Sequence, residues 1–172
     1  MSYGSSVPEA IDALFALLDA RSGLDHVNVS SSYPLDPSSL AGDTGIQDAV
    51  FLGRDGSSAI TGSAAYPVMG HRFVDETYTL WLTCQSIKDD SSGTEVLARQ
   101  RAYSLMGEVI GTVLGDPTLG LTNTAARAAF EIGGRLTDGP YQIEDGGGYL
   151  ASGGYGWRVS VGLNCTARIT LT

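Results

Sequence analysis

Residues 157–171 alternate without a break: Trp157, Val159, Val161, Leu163, Cys165, Ala167, Ile169 and Leu171 are apolar, and Arg158, Ser160, Gly162, Asn164, Thr166, Arg168 and Thr170 fill the places between. A period of two over this length predicts a β-strand with one buried and one wet face. At a rise of about 3.3 Å per residue it would run roughly 50 Å, far beyond the usual strand. Such a strand either bends or reaches past its own domain. A second long strand is predicted over 73–87, with Tyr78, Leu80, Leu82 and Cys84 on one face and Thr77, Thr79, Trp81 and Thr83 on the other.

The period changes to that of a helix in two places. Over 8–20, Ile11, Leu14, Phe15 and Leu18 make one helical stripe, with Ser6 as N-cap and Pro8 and Glu9 in the first turn. Over 94–114, Ala98, Ala102, Leu105, Val109 and Val113 form the stripe, widened by Met106 and Ile110, with Thr94 as N-cap. The run GDPTLGL at 115–121 stops this helix. Shorter strands are predicted at 26–30, 49–52 and 125–136, although the alanines of the last leave a helix start at Thr124 open. The stretches 31–46, 53–70 and 138–156 read as long loops, rich in Gly, Pro and Ser. Neighbouring strands flanked by helices argue for an α+β fold, a mainly antiparallel sheet with the helices at 8–20 and 94–114 packed on one face. The 172 residues fit one domain, 1–172, able to bury a core without disulfides or metals.

Composition narrows the function more by exclusion than by signal. Charged residues make up 17% of the chain against a usual value of about 25%, which suits a surface partly covered by partners. The formal net charge is −9, and Lys88 is the only lysine. No segment clusters Arg and Lys, so a counterion-releasing grip on nucleic acid is not expected. Cys84 and Cys165 lie in strand-like runs and read as buried free thiols, with neither a disulfide framework nor a zinc spacing. No basic residue precedes the first apolar stretch, so 1–6 does not read as a signal peptide, and no apolar run spans a bilayer.

Signatures of catalysis and metal binding are missing from the sequence as well. His26 and His71 have no partner at metal-motif spacing, and they read as surface or structural histidines. There is no G-x-S-x-G elbow and no phosphate-cradling glycine loop followed by a helix. Asp89-Asp90 and Glu144-Asp145 read as solvated turns. The chain is therefore expected to be no enzyme, with no catalytic residue, no metal and no cofactor. Tyr141, Tyr149 and Tyr155, set in glycine-rich sequence, are candidate interface anchors. Arg158 and Arg168, on the polar face of the last strand, and Asp55, in the second loop, complete the candidate interface set.

The order and wording of these elements resemble the tail-terminator family of long-tailed, siphovirus-type bacteriophages. The likeness runs from the first helix to the C-terminus. It is most specific over 94–121, a helix of the form A-R-x-R-A-Y-x-L ending V-I-G-T-V-L, then D-P-T-L-G-L, placed after the long strand containing Tyr78-Thr-Leu-Trp-Leu-Thr. The resemblance implies a structural virion protein, assembled in the host cytoplasm and located at the tail neck. It would form a homo-oligomeric, hexameric ring that caps the tail tube, stops its polymerisation and meets the head-tail connector and neck proteins. Genomic DNA would pass through the lumen without specific binding, as an acidic wall allows; no membrane is involved. The generous loops depart from the family pattern and leave a tail-tube or head-tail adaptor protein as the alternative. From a different class, a carbohydrate-binding module using Trp81, Trp157 and the tyrosines is the competing reading, with an unrecognised hydrolase behind it.

Overall fold

The computed structural model describes residues 5–31, 48–54, 59–65, 73–88, 93–121, 127–133, 139–151 and 154–170. Helix α1 (Val7–Asp19) is followed by a single 3-10 turn (Ser22–Leu24) and the strands β1 (Asn28–Ser30), β2 (Asp48–Leu52), β3 (Ile60–Ala65) and β4 (Phe73–Lys88). Helix α2 (Thr94–Gly115) then leads to β5 (Arg127–Ile132), β6 (Tyr141–Ala151) and β7 (Gly154–Thr170). The fold is α+β. The seven strands of the described residues form one mixed sheet, and among them only β1 and β2 pair in parallel.

The sheet is built around β4 and β7, which pair antiparallel from Phe73↔Thr170 to Lys88↔Tyr155. Each long strand carries two short ones end to end along its other side. On β4, β3 covers the half from Asp75 to Leu80 and β2 the half from Leu82 to Ser86. On β7, β6 covers Gly154 to Leu163 and β5 covers Cys165 to Ile169. The excess length read from the alternation is thus absorbed inside the domain: a long strand with two neighbours in tandem needs no partner beyond its own chain.

Cross-strand partners share a face, so Tyr78, Leu80, Leu82 and Cys84 meet Cys165, Leu163, Val161 and Val159. All eight belong to one buried cluster with Ala10, Leu14 and Leu18 of α1 and Ala102, Leu105, Val109 and Val113 of α2. The predicted helical stripes are therefore the buried ones. Cys84 and Cys165 are free and buried, as expected, and burial pushes both thiols up to about 12.

Three sequence expectations need correction. The stretch 53–70 contains β3, whose residues Ile-Thr-Gly-Ser-Ala-Ala have mostly weak strand propensity and are held by pairing with β4. The stretch 138–156 contains β6 and the start of β7. Glycines 146–148 obscured this strand, yet Gly147 is needed there. It takes φ 75° at a β-bulge, between Asp145 and Gly147, which glycine adopts without strain. Thr94 is not the N-cap of α2; Gly93 is, with φ 85°, and Thr94 is already helical and buried. The stretch read as the first loop, 31–46, lies outside the described residues apart from Ser31.

Two small devices fix the helices. Ser6 makes no side-chain cap to α1. Instead its N–H and its hydroxyl donate to Oε2 of buried Glu76 on β4, at 2.8 and 2.6 Å, and Tyr78 Oη lies 2.9 Å from Ser6 Oγ. A carboxylate of the sheet thus caps a helix whose N-terminal dipole favours negative charge. After α2, Asp116 Oδ1 accepts from Thr118 N and Oγ1, closing an Asx turn, and Ile132 N–H donates to Pro117 O at 2.8 Å. The DPTLGL run therefore both stops α2 and seats the end of β5.

Glu76→Ala is expected to cost about 2–3 kcal/mol, the scale of a buried charge-assisted hydrogen bond. Urea melts check this, and an unchanged midpoint would show that the sheet carboxylate does not anchor α1. Neither thiol should react with a maleimide in the native state, while both should in denaturant; labelling of the folded protein would contradict the burial.

Candidate interface: the polar sheet face and the β6 edge

The second face of the β4–β7 pair is a ladder of polar rungs. From one end, Asp75 pairs with Arg168, Thr77 with Thr166, Thr79 with Asn164, Trp81 with Gly162, Thr83 with Ser160 and Gln85 with Arg158. Almost every rung is closed by its own chemistry. Arg168 grips Asp75 with two bonds, Nε–Oδ1 at 2.7 Å and Nη2–Oδ2 at 2.8 Å, and that carboxylate raises the arginine's pKa. Asn164 Oδ1 accepts from Thr79 Oγ1 at 3.0 Å and Gln142 Nε2 at 3.2 Å, while its Nδ2 donates to Gly139 O at 2.9 Å. Thr83 Oγ1 donates to Gly53 O at 2.7 Å, so its contact with Ser160 Oγ at 2.9 Å is one in which the serine donates. Arg158 Nε donates to Gln85 Oε1 at 2.8 Å.

This face was expected to be wet, but its middle is not: Ser160, Gly162 and Asn164 are buried. Long side chains fold over short ones. Trp81 lies on Gly162, where an added Cβ would stand 3.0 Å from the indole. Arg54 stacks on Trp81 at 4.2 Å and reaches Glu144 Oε2 at 2.7 Å, roofing the sheet from β2's end to β6. Beyond it, Thr61, Gly62, Thr77, Tyr78, Thr79, Gln142 and Asn164 line a shallow depression of about 240 Å³.

The candidate residues divide between these features. Arg158 and Arg168 lie in the polar ladder. Tyr149, on β6, carries the Arg158 guanidinium 4.4 Å from its ring and covers Gly156, and Tyr155 covers Gly148 in the same hairpin. An aromatic lying on a cross-strand glycine fills the gap that the missing side chain leaves. Tyr141 packs, half-buried, against the core cluster. Asp55 lies outside the described residues. Tyr149 and Tyr155 therefore have contacts within their own hairpin, and the structure brings Tyr149 and Arg158 together while leaving Tyr141 and Arg168 apart from them.

Two features were not legible in the sequence. One is a charge cluster: Asp48 at the start of β2 accepts from Arg101 Nε of α2 at 2.6 Å and from Ser86 Oγ at 2.7 Å, and Lys88 Nζ lies 3.2 Å away. Burial alone would raise this carboxyl's pKa, but Arg101, Ser86 and Lys88 together outweigh it and hold the value below the ordinary one. The other is the β6 edge. Residues 142–146 are all exposed, as are Gly148 and Leu150, and β6 pairs only with β7 among the described strands. Ile143 is 49% and Leu150 86% exposed.

No protein-family model matches this chain, and a search of the curated proteins finds no match. No helix among the described residues is long and apolar enough to cross a membrane.

Asp48→Asn should cost on the order of 1–2 kcal/mol, the scale of a part-exposed charge-assisted bond. Because the folded-state pKa is depressed, the contribution of Asp48 is fully present above the unfolded value of about 3.9. It is lost as pH falls through the lower folded value. The gap between wild type and Asp48→Asn should close on acidification in thermal melts; a gap constant down to the acid limit would contradict this account.

Proposed function

We propose that this chain is a structural subunit of a siphovirus-type phage tail, a tail terminator that forms a ring, closes the tail tube and joins it to the neck. The single observation that carries the reading is the open sheet: two long strands, β4 and β7, with exposed strand at both margins, β3 on one side and β6 on the other. A ring needs one heterologous contact repeated until it closes, and opposite margins of one sheet are suited to that. The resemblance adds the element order, since α2 and its DPTLGL stop lie between the long strand β4 and the strands that lead back to β7.

Both helices cover one face of the sheet in this reading, and the polar ladder turns to the lumen. Its cations are already engaged: Arg168 with Asp75, Arg54 with Glu144, and Arg158 with Gln85 and Tyr149. Arginines held within their own subunit, two of them by carboxylates, on a chain of net charge −9 suit a wall that lets DNA pass without holding it. The proposed partners are further copies of the chain, six to a ring, the tail-tube protein and the neck proteins, with assembly in the host cytoplasm. No catalytic step and no cofactor enters. The engaged aromatics argue against a glycan platform, because Trp81 is buried beneath Arg54 and Trp157 donates to Asp145 and lies 5.5 Å from Arg99.

Negative-stain microscopy with mass measurement tests this. Closed six-fold rings with a central hole that arrest extension of purified tail tubes are expected. Long open tubes would make the chain a tube protein instead, and a persistent monomer that joins no tube would overturn the reading.

A further inference from the structure

The strand directions say how two copies would meet. β7 runs against β4, and β6 and β5 run against β7, so the margin on that side runs with β4. β3 and β2 run against β4, and β1 runs with β2, so the opposite margin runs against β4. Copies set side by side in one orientation therefore bring antiparallel margins together.

The ladder also fixes which backbone groups are available. Asn164 N–H donates to Pro140 O at 3.0 Å, so by alternation Gln142 and Glu144 bond to β7 while Tyr141, Ile143 and Asp145 turn their N–H and C=O outward. Trp81 N–H donates to Ala59 O at 2.9 Å, so Thr61 and Ser63 bond to β4 while Ile60, Gly62 and Ala64 turn outward. Set 141–145 of one copy against 60–64 of the next, and the outward groups meet as Tyr141 with Ala64, Ile143 with Gly62 and Asp145 with Ile60. Tyr141, Ile143, Asp145, Ala64 and Ile60 have their side chains on the core side of the sheet, and Gly62 holds a core-side position, judged by the partners Leu163, Val161 and Val159 or Glu76, Tyr78 and Leu80. The residues between them match too, Gln142 with Ser63 and Glu144 with Thr61 on the polar side. Half-exposed Ile143 would lie over exposed Gly62, which must itself be glycine because a Cβ there would strike Tyr78 and the Thr77 carbonyl.

Natural edges usually carry charges that repel a second strand. Here β3 has none. The two acids of β6 are bound within their own subunit, Glu144 by Arg54 and Asp145 by Tyr103, Trp157 and Gly147 N–H. The contact is limited to 141–145, because β1 of the second copy holds the place beside β2 that 149–151 would otherwise enter, and the bulge after Asp145 is where β6 bends away from it.

We infer that β6 is the acceptor for β3 of a second copy, pairing antiparallel over 141–145 and 60–64 with Ile143 opposite Gly62. The contact staggers the copies by about four residues, roughly 13 Å along the strands, as tilted strands do in a closed barrel. The inference rests on the ring reading only for closure and copy number.

The test uses the full chain with Ile143→Pro and Ala64→Pro, each removing an outward N–H and no bond of its own sheet. Light scattering after gel filtration should show wild type assembling and each variant shifted to monomer, with half-assembly at a concentration about tenfold or more higher, at unchanged circular dichroism. An equimolar mixture of the two should give dimers and nothing larger, because each pair keeps one intact β6 and one intact β3. If Ile143→Pro does not fold, Ile143→Lys, which places a charge over Gly62, takes its place with the same expectation. Wild-type assembly by Ile143→Pro or Ile143→Lys overturns the inference, as does dimerisation of Ala64→Pro alone, which would mean β6 pairs with itself, or a wild type that is monomeric throughout. Edge variants that still cap tubes as rings overturn the edge and leave the ring reading standing. A wild type that assembles through these edges and never caps a tube does the reverse.

Discussion

The antiparallel register of β4 on β7 is the constraint on which everything else depends. It runs the full 16 residues of β4. A slip of one residue by either strand would turn its own apolar set out of the core, Leu80 and Leu82 of β4 or Val161 and Leu163 of β7, and bring in Asp75 and Gln85 or Arg158 and Arg168. Both sets of side chains hold the register. The apolar set closes the core with the helices, and the polar set forms hydrogen bonds or an ion pair only when Thr79 meets Asn164, Thr83 meets Ser160 and Asp75 meets Arg168.

The short strands take their positions from this pair. β2 and β3 share one side of β4, and β6 and β5 share one side of β7, so the sheet has four short margins in place of two long ones. The same arrangement sets the directions of those margins and therefore the way in which a neighbour can join. Fold and proposed assembly follow from one pairing.

The polar face shows how a sheet can be buried without being apolar. Cross-strand hydrogen bonds satisfy its short side chains, and Arg54, Trp81 and Arg158 lie over them. A buried polar group is tolerated when its bonds are made, and here the partner is usually the residue directly across. That same closure holds Arg54, Arg158 and Arg168 in contacts within the subunit.

How much of this was legible in the sequence differs between elements for physical reasons. The period of two in β7 and β4 and the helical stripes of α1 and α2 were visible because alternation and the 3.6-residue repeat are local properties. β3 and β6 were not, because Ile-Thr-Gly-Ser-Ala-Ala and a run of three glycines carry little strand propensity, and both strands exist through what lies beside them. Of the candidate interface, Arg158 and Arg168 were placed on the correct face by alternation alone, but their partners Gln85 and Asp75 are 73 and 93 residues away. By itself the sequence determined which residues face the core along each long element. Only the tertiary structure decided the register, the cap that Glu76 gives α1, the charge cluster at Asp48 and the open edge of β6, because each is a pairing between residues that the chain brings together only on folding.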